Sequence, residues 1–175
     1  MIGLISTLPI GHTLLSGFAM DLHDKGIDYE IIETRSMNIK GCIGCNACWL
    51  MTPGRCVIKD DYEKLLKLYL SYDAVIFFTD TKFGNITYRL KHIIDRILPL
   101  ATMHLHFVNG QMRHLARYGK ELRMGILYEG SLEGNDLNPW MKRVMLNIHG
   151  TSLGVYPIKD KEVLLHELTH DQRFT

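Results

Sequence analysis

The sequence predicts an α/β protein, a doubly wound sheet of five parallel strands with helices on both faces. Two patterns carry that expectation. Segments of strand and helix character alternate five times along the chain, and such alternation builds parallel sheets through right-handed crossovers. Ala74 to Phe78 is also a continuous apolar run, the mark of a strand buried on both faces.

The elements follow in order. Ile2 to Ile5 is a short apolar run that opens the sheet, and Ser6 to His12 is rich in turn residues. Leu14, Leu15, Phe18, Ala19 and Leu22 recur at helical spacing, with Gly26 as a C-terminal stop. Ile27, Tyr29 and Ile31 alternate with Asp28 and Glu30, which predicts a second strand. Asp60 with Glu63 reads as a capping-box start for a helix carrying Tyr62, Leu65, Leu66 and Tyr69. The buried strand 74–78 comes next. Leu90, Ile93, Ile94, Ile97 and Leu98 form a helix face that Pro99 ends. Residues 99–121 read as an irregular excursion, and Leu122 to Tyr128 as a fourth strand. Asn138 as N-cap, Pro139 at the first helical position and Gly150 past the end frame another helix. Leu153 to Tyr156 is the fifth strand, and Val163 to His170 a last short helix.

Composition narrows the class. The chain has 175 residues, 46% hydrophobic and 22% charged, with a formal net charge of +1. That suits one globular domain over residues 1–175 and excludes intrinsic disorder and collagen-like sequences. Balanced charge gives no reason to expect a nucleic acid or a membrane surface as partner. No stretch reaches the roughly 18–20 apolar residues of a membrane span. Residues 1–20 are apolar, but the first Lys or Arg is Lys25, whereas a signal peptide starts basic. The expectation is a cytoplasmic protein.

Cys42, Cys45, Cys48 and Cys56 are the chain's four cysteines, all within 15 residues. A secreted, disulfide-stapled domain scatters its cysteines instead. The Cys-x2-Cys-x2-Cys spacing lets three thiolates converge from one tight loop, and the fourth follows after seven intervening residues. Compact runs of this kind hold [4Fe–4S] clusters. Structural zinc usually has two separated Cys-x2-Cys pairs, and this chain has one. Free thiols or a transient disulfide use the same residues, so cluster, zinc and free thiols stay open.

The run Cys42-Ile-Gly-Cys45-Asn-Ala-Cys48, continued by Gly54-Arg-Cys56-Val-Ile-Lys-Asp60-Asp61, resembles the cysteine signature of iron–sulfur flavoproteins, within the NADPH-dependent FMN reductase-like group. Phe83-Gly84, Leu90-Lys91 and Asp95-Arg96 are similar to that group's segment after the third strand. The resemblance covers residues 1–150. It implies a flavodoxin-like fold of three layers with strand order 2-1-3-4-5. It also implies bound FMN, NAD(P)H as a donor, and a [4Fe–4S] cluster on the four cysteines.

In such sheets ligands sit beyond the carboxyl ends of the strands, near the topological switch point. Loops 6–13, 79–87 and 129–138 therefore matter most, and the Cys loop after the second strand is expected to reach the same rim. By resemblance, Ser6, Thr7, Gly11, His12 and Thr13 hold the FMN phosphate, at a helix start that suits an anion. Asp80, Thr81, Lys82, Phe83, Gly84 and Asn85 flank the flavin ring, with Glu129 and Gly130 at its far edge. The chain departs from the family here. Its first loop lacks the family's Arg, and Asp80 and Lys82 replace a Pro and an aromatic. A Lys near the ring favours the anionic reduced flavin. No side chain is required as an acid–base catalyst, because the cofactor carries the chemistry.

Two further patterns remain. His166-Glu167-Leu168-Thr169-His170 has the His-Glu-x2-His spacing of zinc peptidases, but no third ligand is expected downstream, and a solvated helix is the plainer reading. His104, His106, Arg113, His114, Arg117 and Lys120 make 99–121 basic. That suits a surface excursion or a flap meeting cofactor phosphates, with Phe107 and Tyr118 as anchors or dimer contacts. The expected function is an FMN-dependent oxidoreductase or electron-transfer flavoprotein. It would use a small-molecule electron donor or acceptor and assemble as a homodimer or homotetramer. Rival readings are an iron–sulfur or thiol redox carrier without a working flavin, and a cofactor-free binding module.

Overall fold

The computed structural model describes residues 1–108, 110–132 and 137–170. The chain begins with strand β1 (Ile2–Ser6), helix α1 (Thr13–Asp24) and strand β2 (Tyr29–Glu33). The Cys segment carries one short helix, α2 (Ala47–Leu50), before α3 (Tyr62–Ser71). Strand β3 (Ala74–Lys82) is followed by β4 (Asn85–Ile86) and α4 (Tyr88–Ile94). Then come β5 (Ala101–Val108), β6 (Gln111–Ala116), β7 (Leu122–Glu129), α5 (Leu137–Asn147), β8 (Gly150–Pro157) and α6 (Lys161–Thr169).

The five main strands run in the order β2-β1-β3-β7-β8, all pairs parallel. This is the expected 2-1-3-4-5 order of a flavodoxin-like sheet. Alternation along the strands splits the core in two. Ile5, Val75, Phe77, Met124 and Ile126 point to the face covered by α3, α4 and α5. Ile2, Leu4, Ile76, Phe78 and Leu127 point to the face covered by α1 and α6. Strands β1 and β3 are apolar on both faces because both faces are roofed.

Several local expectations shift. Residues 99–121 are not irregular: after a 3-10 turn at Leu98–Leu100, β5 and β6 form an antiparallel hairpin separate from the main sheet. Strand β3 runs four residues past Phe78, and Thr81–Lys82 turn back to pair with Asn85–Ile86. The two linking residues, Phe83 and Gly84, both take positive φ, 52° and 71°, the backbone of a tight primed turn. The α1 cap is His12, whose Nδ1 accepts from the Leu14 amide. Asn138 does not cap α5. It lies inside that helix, and its carboxamide pairs with the backbone of Val155 through bonds of 3.0 and 2.7 Å. Asp60 likewise has a wider task than a cap: one oxygen accepts from the Tyr62 amide, the other from Arg96 and the Lys40 amide.

Strand β8 carries one extra residue opposite Met124–Ile126. Gly154 absorbs it at φ 94°, where a Cβ would stand 2.5 Å from the Tyr156 ring, as in a glycine bulge.

Candidate functional site

The carboxyl ends of β1, β3 and β7 meet at the strand-order switch. In the loop after β1, Ser6 and Thr7 are fully buried. Ser6 Oγ accepts from the Leu8 amide, and Thr7 Oγ1 bonds Phe78 O and Thr79 Oγ1. Thr79 is linked in turn to Thr87 at 3.2 Å. These buried hydroxyls tie the strand ends together. Gly11, His12 and Thr13 remain at the surface, where α1 begins.

That surface already holds negative groups. The Gly11 amide, at φ 71°, donates to Glu33 Oε1 at 2.7 Å. His12 Nδ1 accepts from Leu14, so the neutral ring carries its proton on Nε2 and donates to Glu129 Oε2 at 3.2 Å. The donor set is thus fit for an anion such as a flavin phosphate, and a carboxylate from β2 now occupies one of its donors.

The other predicted residues gather beside it. Asp80 and Glu129 are register partners at the ends of β3 and β7; with no Pro at position 80, the ladder continues to this point. The Thr81 hydroxyl donates to the carbonyls of Glu129 and Ser131 and so ties the loop after β7 to β3. Gly130 makes the approach feasible: at φ 105° a Cβ would stand 2.5 Å from Thr81 Oγ1. Asp80, Lys82, Phe83, Ile86, Thr87 and Tyr88 line a cleft of about 440 Å³ together with Arg35 and Arg89, a volume suited to a small ligand. Phe83 is fully exposed at its turn. Glu33, Arg35, Thr87 and Arg89 were not foreseen from the sequence. The signal was available for Glu33 and Arg35, since they end the strand beside β1, where the switch-point rule applies to β2 as much as to β3.

His92 Nδ1 contacts Ile39 O, Arg96 donates to Lys40 O, and Trp49 Nε1 donates to Leu98 O. These contacts lay the Cys loop along α4 from His92 to the residues just past its C-terminal end. The indole of Trp49 also packs on His114 of β6, 4.7 Å between rings. Cys42 lines a cavity with Ile94 and Asp95, whereas Tyr88 and Arg89 line the cationic cleft; His92, beside Gly41 of the Cys loop, packs its ring on Tyr88 between the two. Cys42 and Cys45 are exposed, and Cys48 and Cys56 half-buried. Burial pushes the Cys48 thiol up, and the charges of Cys56, Cys42 and Cys45 push it further, so the four sulfurs are electrostatic neighbours. The Gly44 amide donates to Cys42 Sγ at 3.5 Å, a donor that suits a ligating thiolate. Yet among the described residues no group of three or more His, Cys, Asp or Glu side chains stands close enough to hold a metal. The donor types fit a cluster; the four sulfurs as arranged do not close around one.

His166 and His170 stack on each other at 3.8 Å at the end of α6. The third predicted rim loop, 129–138, extends over residues 133–136, which lie outside the described residues.

Comparison with known proteins bears on the fold. No family model matches the chain. Over 132 residues it is 29% identical to an iron–sulfur flavoprotein of Archaeoglobus fulgidus, covering 75% of this chain and 54% of that protein. The chain is similar to the iron–sulfur flavoproteins. It spans about half the length of that relative. A flavone reductase structure superposes with a TM-score of 0.62 at 16% identity, covering 96% of this chain and 60% of that one. An FMN-dependent NADH-azoreductase of Bacillus anthracis, in complex with FMN, superposes with a TM-score of 0.54 at 12% identity over 96% and 95% of the two chains. These likenesses establish the flavodoxin-like fold. No helix among the described residues is long and apolar enough to cross a membrane.

Proposed function

We propose that this chain is an FMN-dependent oxidoreductase. The observation that carries the reading is the convergence of three strand ends on one rim. There an anion-accepting amide at Gly11 lies next to a cationic, aromatic-edged cleft. A flavin bound there supplies hydride or single-electron exchange at its ring. Gly11, His12 and Thr13 would hold the phosphate, and Lys82, Phe83 and Tyr88 would border the ring. Arg35, Lys82 and Arg89 bias the cleft toward a negatively charged ring or a phosphate-bearing donor such as NAD(P)H. The sequence likeness to an iron–sulfur flavoprotein and the fold shared with an FMN-containing azoreductase support it. The test is titration of anaerobically purified protein with FMN. Saturable quenching of flavin fluorescence at micromolar FMN is expected, followed by bleaching on addition of NADPH or NADH. Protein that leaves FMN fluorescence unchanged would overturn the reading.

A second reading, an iron–sulfur or thiol electron carrier, is favoured by Cys42 lining a cavity that shares no residue with the cleft. Iron and acid-labile sulfide in protein that lacks flavin would support it.

The oligomeric expectation rests on the hairpin. Met103, Leu105, Phe107 and Met112 are 48–76% exposed on β5 and β6, an apolar surface of the kind that self-association covers. A second copy is the proposed occupant, and sedimentation of Phe107→Asp against the unaltered chain tests it.

A further inference from the structure

A second concave site lies at the other end of α4. Its volume is about 420 Å³, within the range of small-molecule sites. Ile94, Ile97, Leu98, Val144 and Ile148 give it aliphatic walls, and Trp140 supplies one flat aromatic surface. Its polar edge consists of Cys42, Asn147 and Asp95. The Asp95 carboxylate is paired with Lys91 one turn earlier, so the edge offers no free cation from that residue. The Cys42 thiol is held in place by a folded loop. Gly44 and Asn46 both take left-handed backbone, at 65° and 56°, and the Gly44 amide donates to the sulfur. Trp49 and Arg96 tie the two sides of that loop to the end of α4.

From this lining we infer a second binding site, for a neutral, flat, apolar ring compound that carries a hydroxyl or carbonyl group. The rings would lie on Trp140 beside Leu98 and Val144, the wall residues that keep part of their surface exposed and so gain from an apolar body, over a floor of buried Ile94, Ile97 and Ile148. The oxygen would meet the Asn147 carboxamide. Among the described residues the lining holds no Lys, Arg or His, so the charge of an anionic version of the same molecule would be buried against the aliphatic walls without a partner. Cys42 would then border the ligand, so occupancy shields that thiol. The site shares no lining residue with the cationic cleft: Tyr88 and Arg89 face the cleft, Ile94 and Asp95 face this site. The inference does not depend on flavin binding.

The probe is 1-naphthol, with 1-naphthoate as its anionic counterpart, and binding is read by calorimetry on the full chain. Saturable 1-naphthol binding is expected, at least about tenfold tighter than 1-naphthoate. Alkylation by iodoacetamide, mapped by mass spectrometry, provides the second readout. Saturating 1-naphthol should slow modification of Cys42 at least about threefold and leave the equally exposed Cys45 unaffected. Val144→Phe, which fills the site, and Trp140→Leu, which removes its flat wall, should each weaken binding and abolish the protection. No saturable binding, equal binding of both probes, or protection of both cysteines alike would overturn the inference. So would retention of binding and protection in both variants, provided their circular dichroism matches the parent.

Discussion

Arg96 Nη1 donates to Asp60 Oδ2 at 2.5 Å, with 1% and 0% of the two side chains exposed. The same guanidinium donates to Lys40 O at 3.0 Å and Ile58 O at 3.3 Å and lies 4.4 Å over the Tyr62 ring. One buried cation thereby joins α4 to both flanks of the Cys loop. Removing one partner leaves the other charge buried and alone, which typically costs about 3–5 kcal/mol. Arg96→Met and Asp60→Asn should each lose stability on that scale in chemical denaturation and loosen the Cys loop to proteolysis. The pair also sets an acid limit. Burial raises the Asp60 carboxyl, but Arg96 and the Lys40 and Tyr62 amides outweigh it and hold it below the usual carboxylate range. A lowered folded value means the contribution is present above the unfolded value of about 4 and is lost as pH falls through the folded one. Denaturation midpoints below about pH 4 should therefore fall more steeply in the unaltered chain than in Asp60→Asn.

Phe83 tests whether strain at the rim serves a ligand. It holds φ 52° at the tip of the β3–β4 turn with its ring in water. A primed turn prefers Asn at that position, before Gly. Phe83→Asn should gain about 0.5–1 kcal/mol of stability by relieving the left-handed cost. On the flavin reading it should also weaken FMN several-fold. A variant that is more stable and binds FMN equally well would show that the ring has no part in the site.

Gly130 is held to a tighter limit. Its φ of 105° and the 2.5 Å approach of Thr81 Oγ1 to a built Cβ leave no room for a side chain. Gly130→Ala should cost about 1–3 kcal/mol and release the Thr81 hydroxyl from Glu129 and Ser131. Thr81→Val should cost less, since it removes only the hydroxyl bonds, about 1 kcal/mol. Thermal unfolding of the two variants side by side checks the order.

The main sheet was legible because its signals are local. Ala74–Phe78 is apolar on both faces, and Gly26, at φ 70°, stops α1 as expected, whereas α4 already stops at Ile94 and Pro99 falls inside the 3-10 turn that follows, so Ile97 and Leu98 lie beyond the helix they were expected to extend. The hairpin was hidden for a physical reason. Met103, Leu105 and Phe107 do alternate with His104 and His106, yet they face water, so the pattern does not mark a buried face. The β3–β4 turn was hidden because Phe stands where Asn or Asp usually announces it. Asn138 looked like a cap because its true partner, Val155, is 17 residues away. The place of the β1 and β3 loops on one rim was legible from the switch-point rule, but not the burial of Ser6 and Thr7, which follows from the register that sets Ser6 beside Phe78 and the Thr7 hydroxyl against Phe78 O and Thr79 Oγ1.

Glu33 provides the sharpest test of the rim. Its backbone is fixed by the ladder with Ser6, and the Thr34 amide and hydroxyl both donate to Ser6 O at 2.8 Å. Only its side-chain torsions are free to withdraw the carboxylate from the Gly11 amide. A phosphate arriving at that amide meets a like charge, and like charges at this range repel. Glu33→Gln keeps the shape and an acceptor oxygen but removes the charge. It should tighten FMN by about tenfold and leave riboflavin, which has no phosphate, within about twofold. Raising the salt concentration should narrow the difference, because the group is partly exposed and its field is screened. Parallel fluorescence titrations with FMN and riboflavin measure the ratio. An unchanged ratio would place the phosphate away from Gly11. A weaker FMN complex would mean that Glu33 holds the loop in its binding shape and does not compete with the ligand.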